Sequence, residues 1–567
     1  MSLTLYRNGS VYSAADPFAT AMLVDGDVVA WVGSEHAAAS LLDSRMQEVD
    51  LGGALVAPGF VDSHVHVTET GLALDSLDLA AVHGAQELLE RVSVAAADDV
   101  TAGVSAGVLL GHGWDNSLWA DPRLPGAAEL ERAAGGREVY LARVDVHSGL
   151  VSASLAERCS LASLPGWDGD GLLSGVAHAT ARDAARALNP EQLRAAQRRA
   201  LRHAAANGYV ALAEMGAPHV GSPADLAALM ALTAGAQGQE GGQANAQANA
   251  SAEALPEVLP YWGQLVSSAQ EAREVLDGLG VGVLGLAGDI NIDGSLGSRS
   301  ALLRKPYADA PTGAGTAQLS VEQVANHFAA TSELGLSGGF HVIGDGAMDI
   351  AVAGLEQAER KVGIEAIRAA GHRLEHAEMV DDAAMAALAK YAVGVSVQPA
   401  FDALWGGPGG MYSQRLGSAR ALELNPLARF YGAGVPVCFG SDAPVTPLNP
   451  WSSVRAALNH HHPESRISAR AAFIGHTRAG WRAAKSENPF LGQLVPGAPA
   501  SFAVWEVEEL MVQVADERVQ SWSTDPRART PLLPALDTAN DPRCLQTVHR
   551  GRELYVGENF AQLRRRP

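Results

Sequence analysis

Cysteine is nearly absent: Cys159, Cys438 and Cys544 are the only three in 567 residues. They stand far apart without a Cys-x-x-Cys spacing, which excludes a disulfide framework, and small buried hydrophobes are their expected role. Charge is sparse at 18%, against 47% hydrophobic residues, so the chain can bury a large core and is not a disordered acidic protein. Basic residues are outnumbered, 41 against 63, for a formal charge of −22. That balance argues against nucleic acid, whose binding needs Lys and Arg on phosphates. It says little about fold or substrate, because a metal or one local basic patch overrides it. No run reaches the about 18 uninterrupted apolar residues of a membrane-spanning helix. The opening MSLTLYRNGSVYSAADPF lacks the basic end, apolar run and small-residue cleavage site of a signal peptide. A soluble cytoplasmic protein is expected.

The length suggests three to four domains at roughly 150 residues each, a prior that barrels often exceed. Both ends read as short strands with turns: SLTLYRNGSVYS and TAMLVDGDVVAWVG first, ASFAVWEVEELMVQVA and LQTVHRGRELYVG last. One small β domain built from residues 1–57 and 489–567 is expected. Between them, residues 58–488 alternate eight short apolar runs with alanine-rich helical segments. The runs are VAPGFVDSHV, YVALAEMG, EVLPYWGQLV, VGVLGLAGDINIDG, LSGGFHVIG, HRLEHAEMV, VGVSVQPAF and VPVCFGSDAP. Eight strands in βα alternation predict an α/β fold, a (β/α)₈ TIM-like barrel. About 140 residues separate the first two runs, predicting an inserted cap subdomain over about 85–200. The Ala/Gln/Gly/Asn-rich stretch 234–255 is expected to be a mobile loop.

Eighteen histidines make one His-x-His pair unsurprising, and His460-His461-His462 is expected to be a polar loop. Position gives His64-Val65-His66 more weight. Alternation along VAPGFVDSHVH sends both imidazoles to one side at the C-terminal end of a strand, where barrel active sites are assembled. His341, His376 and Asp442 end three further runs in the same way. Imidazole nitrogen and carboxylate oxygen suit Zn²⁺ and similar divalent ions.

These motifs resemble the amidohydrolase superfamily of metal-dependent hydrolases, and within it amidohydrolase family 3, the YtcJ-like group that includes N-substituted formamide deformylases. The resemblance runs through APGFVDSHVH, GHGWDNSLWA, DVHSGLVSASL, DGSLGSRSALL, FHVIGDGAMD, RLEHAEMV, GSDAPVTPLNPW and GQLVPGAPASFAVW, in that order. It implies one metal on His64, His66 and Asp442 and a second on His341 and His376. Two-metal members bridge their ions with a carboxylated lysine or a glutamate. Where lysine serves, it lies four residues before the Asp-Gly of the DGSLGSR segment, and here that position is Asp289. Asp289 is the expected ligand; Glu214, ending YVALAEMG, is the rival carboxylate, and a single tightly bound metal is the third alternative.

The implied reaction is hydrolysis of a C–N bond in a small amide such as an N-substituted formamide, by a metal-activated hydroxide with Asp442 as acid/base. His341 or His376, where not engaged with metal, would hydrogen-bond the oxyanion. The implied cofactor is a divalent metal, Zn²⁺ first, as one or two ions. Trp114, Asp115, His147 and Arg299 are implied substrate contacts at the mouth. The partner is a small-molecule substrate, with neither nucleic acid nor membrane, for a chain acting alone or as a homodimer. Superfamily deaminases usually carry a His-x-x-Glu, whereas His341 is followed by Val342, Ile343 and Gly344. Heterocycle deamination or ester hydrolysis on the same site, or a non-catalytic binding protein of this fold, are the alternatives.

Overall fold

The computed structural model describes residues 3–98, 107–234, 253–513, 522–523, 531–537, 540–558, 560 and 564–565. Most of the low-complexity stretch expected to form a mobile loop, residues 235–252, lies outside them. Each of the eight apolar runs contains a strand. These are β1 (Phe60–Val65), β2 (Tyr209–Gly216), β3 (Glu257–Trp262), β4 (Gly285–Leu286), β5 (Ser337–Val342), β6 (Arg373–His376), β7 (Gly394–Val397) and β8 (Val437–Phe439). Burial on both faces explains why they read as continuous apolar runs rather than alternating ones.

The strands pair in parallel in two sheets, β3-β2-β1 and β4-β5-β6-β7-β8. The seams between the sheets carry individual hydrogen bonds: Leu284 N to Pro260 O (2.8 Å), Asp442 N to His64 O (2.8 Å) and His66 N to Ala443 O (3.0 Å). The fold is therefore TIM-barrel-like, but a closed (β/α)₈ ladder is not formed. The reason lies in the two edge strands of the larger sheet: β4 has two residues and β8 three, too few to continue a ladder.

Helices follow or precede these strands as the alanine-rich segments predict. Pro190–Ala206 shows how: Asn189 accepts from Glu191 N and Gln192 N, Pro190 opens the first turn, and Leu193, Ala196, Ala200, Leu201 and Ala204 form the buried stripe. Among the described residues no helix is long and apolar enough to cross a membrane.

Elements from both ends of the chain share two further sheets. In one, Leu55–Pro58 pairs antiparallel with Phe502–Glu506, which pairs with Arg543–His549. In the other, Leu3–Arg7 pairs with Ala21–Asp25 and with Gln47–Asp50. The few aromatic residues are concentrated where these parts meet. Phe60 opens β1 and stands 5.1 Å from Trp451 and 5.7 Å from Trp505, ring centroid to centroid, both edge-on. Between β1 and β2 an inserted sheet runs through Leu77–Asp78, Leu109–Trp114, Val139–Arg143, Ser148–Val151 and Leu172–Ser174. The helix Gly175–Ala185 follows it.

Candidate metal centre

The C-terminal ends of the strands converge on one cluster. His64 is the penultimate residue of β1, His66 lies just beyond it, Asp289 three residues past β4, His376 at the end of β6 and Asp442 three residues past β8. His64, His66 and Asp442 bring one donor atom each within 4.8 Å of one another, and so do His64, Asp289 and His376. Two of these residues sit in left-handed backbone, His376 at φ +69° and Asp442 at φ +57°, a conformation that non-glycine residues keep only where the surroundings enforce it. Close approach requires Gly440: a Cβ there would stand 2.6 Å from His64 N, so only glycine lets the chain leaving β8 pass β1.

The spacings fit an ion better than a hydrogen-bonded cluster. His64 Nε2 is 3.4 Å from Asp442 Oδ1 and 3.6 Å from Asp289 Oδ1; His66 Nε2 is 3.5 Å from Asp442 Oδ1 and 3.1 Å from Asp289 Oδ2. Ligands about 2.1 Å from a tetrahedral ion stand roughly 3.4 Å apart. His64 Nε2 and Asp289 Oδ1 are buried without a hydrogen-bond partner among the described residues, which a native core rarely tolerates unless an ion or water serves them. The electrostatics agree. Burial alone would raise the Asp289 and Asp442 carboxyls, yet His66 beside the first and His64 beside the second hold both well below the usual range. Against its own burial, His64 is pushed up to about 10 by Asp442, Glu375 and Asp289. The cluster attracts positive charge.

A second set of groups aims these ligands. His64 Nδ1 meets Glu375 Oε2 at 2.8 Å, and Arg373 Nη2 donates to the same oxygen at 2.9 Å. His376 Nδ1 meets Gln398 Oε1 at 2.8 Å. Both imidazoles thus present Nε2 to the centre. Neither Glu375 nor Gln398 was a sequence candidate. The available signal was Arg373-Leu374-Glu375, whose charged residues alternate to one side of a buried strand.

His341, in β5, joins neither donor group, although its ring lies 4.5 Å from that of His376. Its Nδ1 stands 3.7 Å from Asp293 Oδ1 and has no hydrogen-bond partner among the described residues. Asp293 clamps the chain after β5, accepting from Ile343 N (3.0 Å), Gly344 N (2.8 Å) and Leu302 N (2.8 Å). Glu214 also stays outside both donor groups. Its Oε2 accepts from Val67 N at 2.7 Å, and burial pushes its carboxyl up to about 7.

His66, Asp289, His341, His376 and Asp442 line a cavity of about 870 Å³, together with residues of the inserted sheet and the helix that follows it. Of the four expected substrate contacts, only His147 reaches this cavity, with its ring 5.5 Å from that of His341. The other three are engaged elsewhere. Trp114 is 0% exposed in the core of the inserted sheet, donating through Nε1 to Leu141 O at 3.0 Å, and has no surface to offer a substrate. Asp115 pairs with Arg143 and accepts from Ser117 N (3.0 Å). Arg299 holds Asp309 through Nη2 (2.8 Å) and Nε (3.2 Å) with its side chain 43% exposed.

One carboxylate ties His147 into place. Asp145 accepts from Ser295 Oγ (2.8 Å) and Ser298 Oγ (2.7 Å) and pairs with Arg143 Nη1 (2.7 Å). Burial would raise its carboxyl, but Arg143 brings it down to about 2. Gly297 is needed for the fit, since a Cβ there would stand 2.4 Å from Arg143 Nη1. The DVHSG and DGSLGSR segments are thus two halves of one junction.

Comparison with known proteins finds relatives over most of the chain. Protein LONG AFTER FAR-RED 3 of Arabidopsis thaliana is 27% identical over 526 residues, spanning 88% of this chain and 86% of that protein. Putative amidohydrolase YtcJ of Bacillus subtilis (strain 168) is 24% identical over 472 residues, 80% of this chain and 83% of that one. N-substituted formamide deformylase of Arthrobacter pascens matches a shorter stretch, 25% identical over 158 residues, 27% of this chain and 28% of that one. An uncharacterized metal-dependent hydrolase from Pyrococcus horikoshii OT3 shares the fold, with TM-score 0.67, 24% identity and coverage of 90% of this chain and 98% of that one. The Amidohydro_3 family, described as the amidohydrolase family, matches residues 47–555. Nearly the whole chain carries that match, with all five clustered residues inside it, and the protein belongs to the amidohydrolase family.

Proposed function

We propose that the protein is a metal-dependent hydrolase of a C–N bond in a small amide, with N-substituted formamides as the substrate class. The observation that carries the reading is the convergence of His64, His66, Asp289, His376 and Asp442, with unpartnered buried donor atoms, beside the cavity. The formamide class rests on the shorter match to the deformylase. Zinc is the proposed ion because the donors are imidazole nitrogen and carboxylate oxygen without thiolate.

A divalent ion held by these residues supplies a water of lowered pKa and polarises the substrate carbonyl. The side chains do the rest. Asp442 takes one proton of the attacking water and returns it to the leaving nitrogen, which departs as an amine; the acyl group leaves as a carboxylic acid, whose remaining proton passes to solvent or to the amine as the carboxylate forms. His341 and His147, whose rings lie 5.5 Å apart on the cavity lining, orient the carbonyl oxygen by hydrogen bonding. Glu375 and Gln398 keep His64 and His376 aimed, and the cap restricts water. The proposed division of the chain is a β domain from 1–57 and 489–567 around a barrel of 58–488, with the cap inserted between its first two strands.

A panel of N-substituted formamides, unsubstituted amides, esters and aminoheterocycles, assayed for formate, carboxylate and ammonia release, tests the reaction. Formate release by the wild type and its loss by at least about a hundredfold in Asp442→Asn support the proposal. Ammonia from the heterocycles alone, or an Asp442→Asn variant as active as wild type, overturns it.

A further inference from the structure

The cavity that holds the metal centre is also lined by two guanidinium groups, and they differ in what balances them. The helix Gly175–Ala185 and its capping residue place Arg182 and Arg186 on the cavity. Arg186 pairs with Glu69, both side chains 15% exposed, so that charge is cancelled inside the wall. The acidic partner of Arg182 is its neighbour Asp183, at 3.1 Å and 72% exposed. A pair with so exposed a carboxylate is screened by solvent and weak. Arg182 Nη2 also donates to the His219 carbonyl, while Nη1 has no hydrogen bond among the described residues.

The surrounding groups do not remove this excess. Burial brings His178 down to about 3 and His219 down to about 4, so both are neutral at pH 7. His178 is in addition held by Tyr140 Oη at 2.8 Å. The remaining carboxylates on the cavity are already engaged: Asp145 is matched by Arg143, and Asp289 and Asp442 lie among the histidines. The helix after the inserted sheet therefore presents one positive charge, partly withdrawn from water, to the same cavity as the proposed reacting centre.

We propose that Arg182 forms an anion subsite and that the natural substrate is an amide bearing a carboxylate on the end remote from the scissile bond. The carboxylate takes the Nη1 and Nη2 donors in charge-assisted hydrogen bonds, displacing the solvent-facing Asp183. In a chain of charge −22, a local cation on this helix is what lets an anionic substrate enter. The subsite rests on the reading of the cavity as the reaction site and adds the class of substrate it takes.

The test uses pairs of N-alkyl formamides matched in length, one ending in a carboxylate and the other in a primary amide. The wild type should prefer the carboxylate by about tenfold to a hundredfold in kcat/KM, mainly through KM. Arg182→Gln should bring that ratio to about one, and Arg182→Lys should keep part of it. Because each ratio compares two substrates on one variant, a partly misfolded preparation does not alter it. A wild-type ratio near one, or an unchanged ratio in Arg182→Gln, overturns the subsite. Thermal stabilisation of the metal-loaded protein by glutarate against glutaramide reads the subsite without turnover. Glutarate stabilisation that is lost in Arg182→Gln, with no formamide hydrolysed, supports the subsite while the proposed reaction fails. Equal effects of the two compounds overturn the subsite.

Discussion

Glu375 and His64 meet at 2.8 Å with both side chains 0% exposed. A carboxylate so placed fixes which imidazole nitrogen carries the proton and leaves His64 Nε2 for a cation. Its own ionisation is secured by Arg373 and His64, which bring the carboxyl down to about 2 despite burial. Glu375→Gln keeps the shape and removes the charge. We expect metal affinity to fall about tenfold to a hundredfold, read by competition with a chromophoric chelator, and unchanged affinity contradicts the role.

Asp289 stands four residues before the Asp-Gly of the DGSLGSR segment, and its carboxylate faces His64 and His66. In Asp289→Asn, metal content measured by plasma mass spectrometry should fall by one equivalent or to none. Glu214→Gln should leave content unchanged, because Glu214 is engaged with Val67 N. The reverse pattern reassigns the carboxylate.

The Asp145 junction carries a stability prediction. Asp145→Asn removes a buried partner from Arg143, which is 3% exposed. Breaking a buried pair in this way costs about 3 kcal/mol, and urea unfolding should show it as a lowered midpoint. A loss below about 0.5 kcal/mol, the scale of an ordinary surface substitution, means that the junction does not hold the cap.

Acid should weaken the fold through histidines far from the metal centre. His372 accepts from Gly338 N (2.9 Å) and meets Ser332 Oγ (2.8 Å), while His476 meets Ser453 Oγ (2.8 Å). Burial brings both down to about 3. Between about pH 6.5 and 3 the unfolded chain binds protons that the folded chain does not. Stability is then full above 6.5 and falls with decreasing pH, by about 1.4 kcal/mol per pH unit for each histidine. The urea midpoint should drop between pH 7 and 5, and less steeply in His476→Gln; parallel profiles contradict the assignment.

Much of this site is legible along the chain because each ligand ends or follows its own apolar run, as His64 and His376 do. A strand buried on both faces gives an apolar run, and a ligand at its end breaks that run. Asp289 was legible only through its place in a motif, since it lies inside the run VGVLGLAGDINIDG rather than at its end. Glu375 and Asp145 act on partners 311 and 150 residues away, and no local pattern encodes such a contact. Trp114 shows the opposite failure: it belongs to a motif shared with relatives, but motif order carries no depth, and its indole serves the core of the cap. Closure of the barrel was overestimated because apolar runs show which segments are buried strands without showing how many residues keep ladder geometry, and β4 and β8 keep few.

Metal content and hydrolysis on one preparation, before and after chelation, test the central claim most directly. The account predicts at least one divalent ion per chain, formamide hydrolysis abolished by removing it, and activity restored when zinc is returned. A chain without stoichiometric divalent metal, or one that hydrolyses formamides at the same rate after the metal is removed, contradicts it.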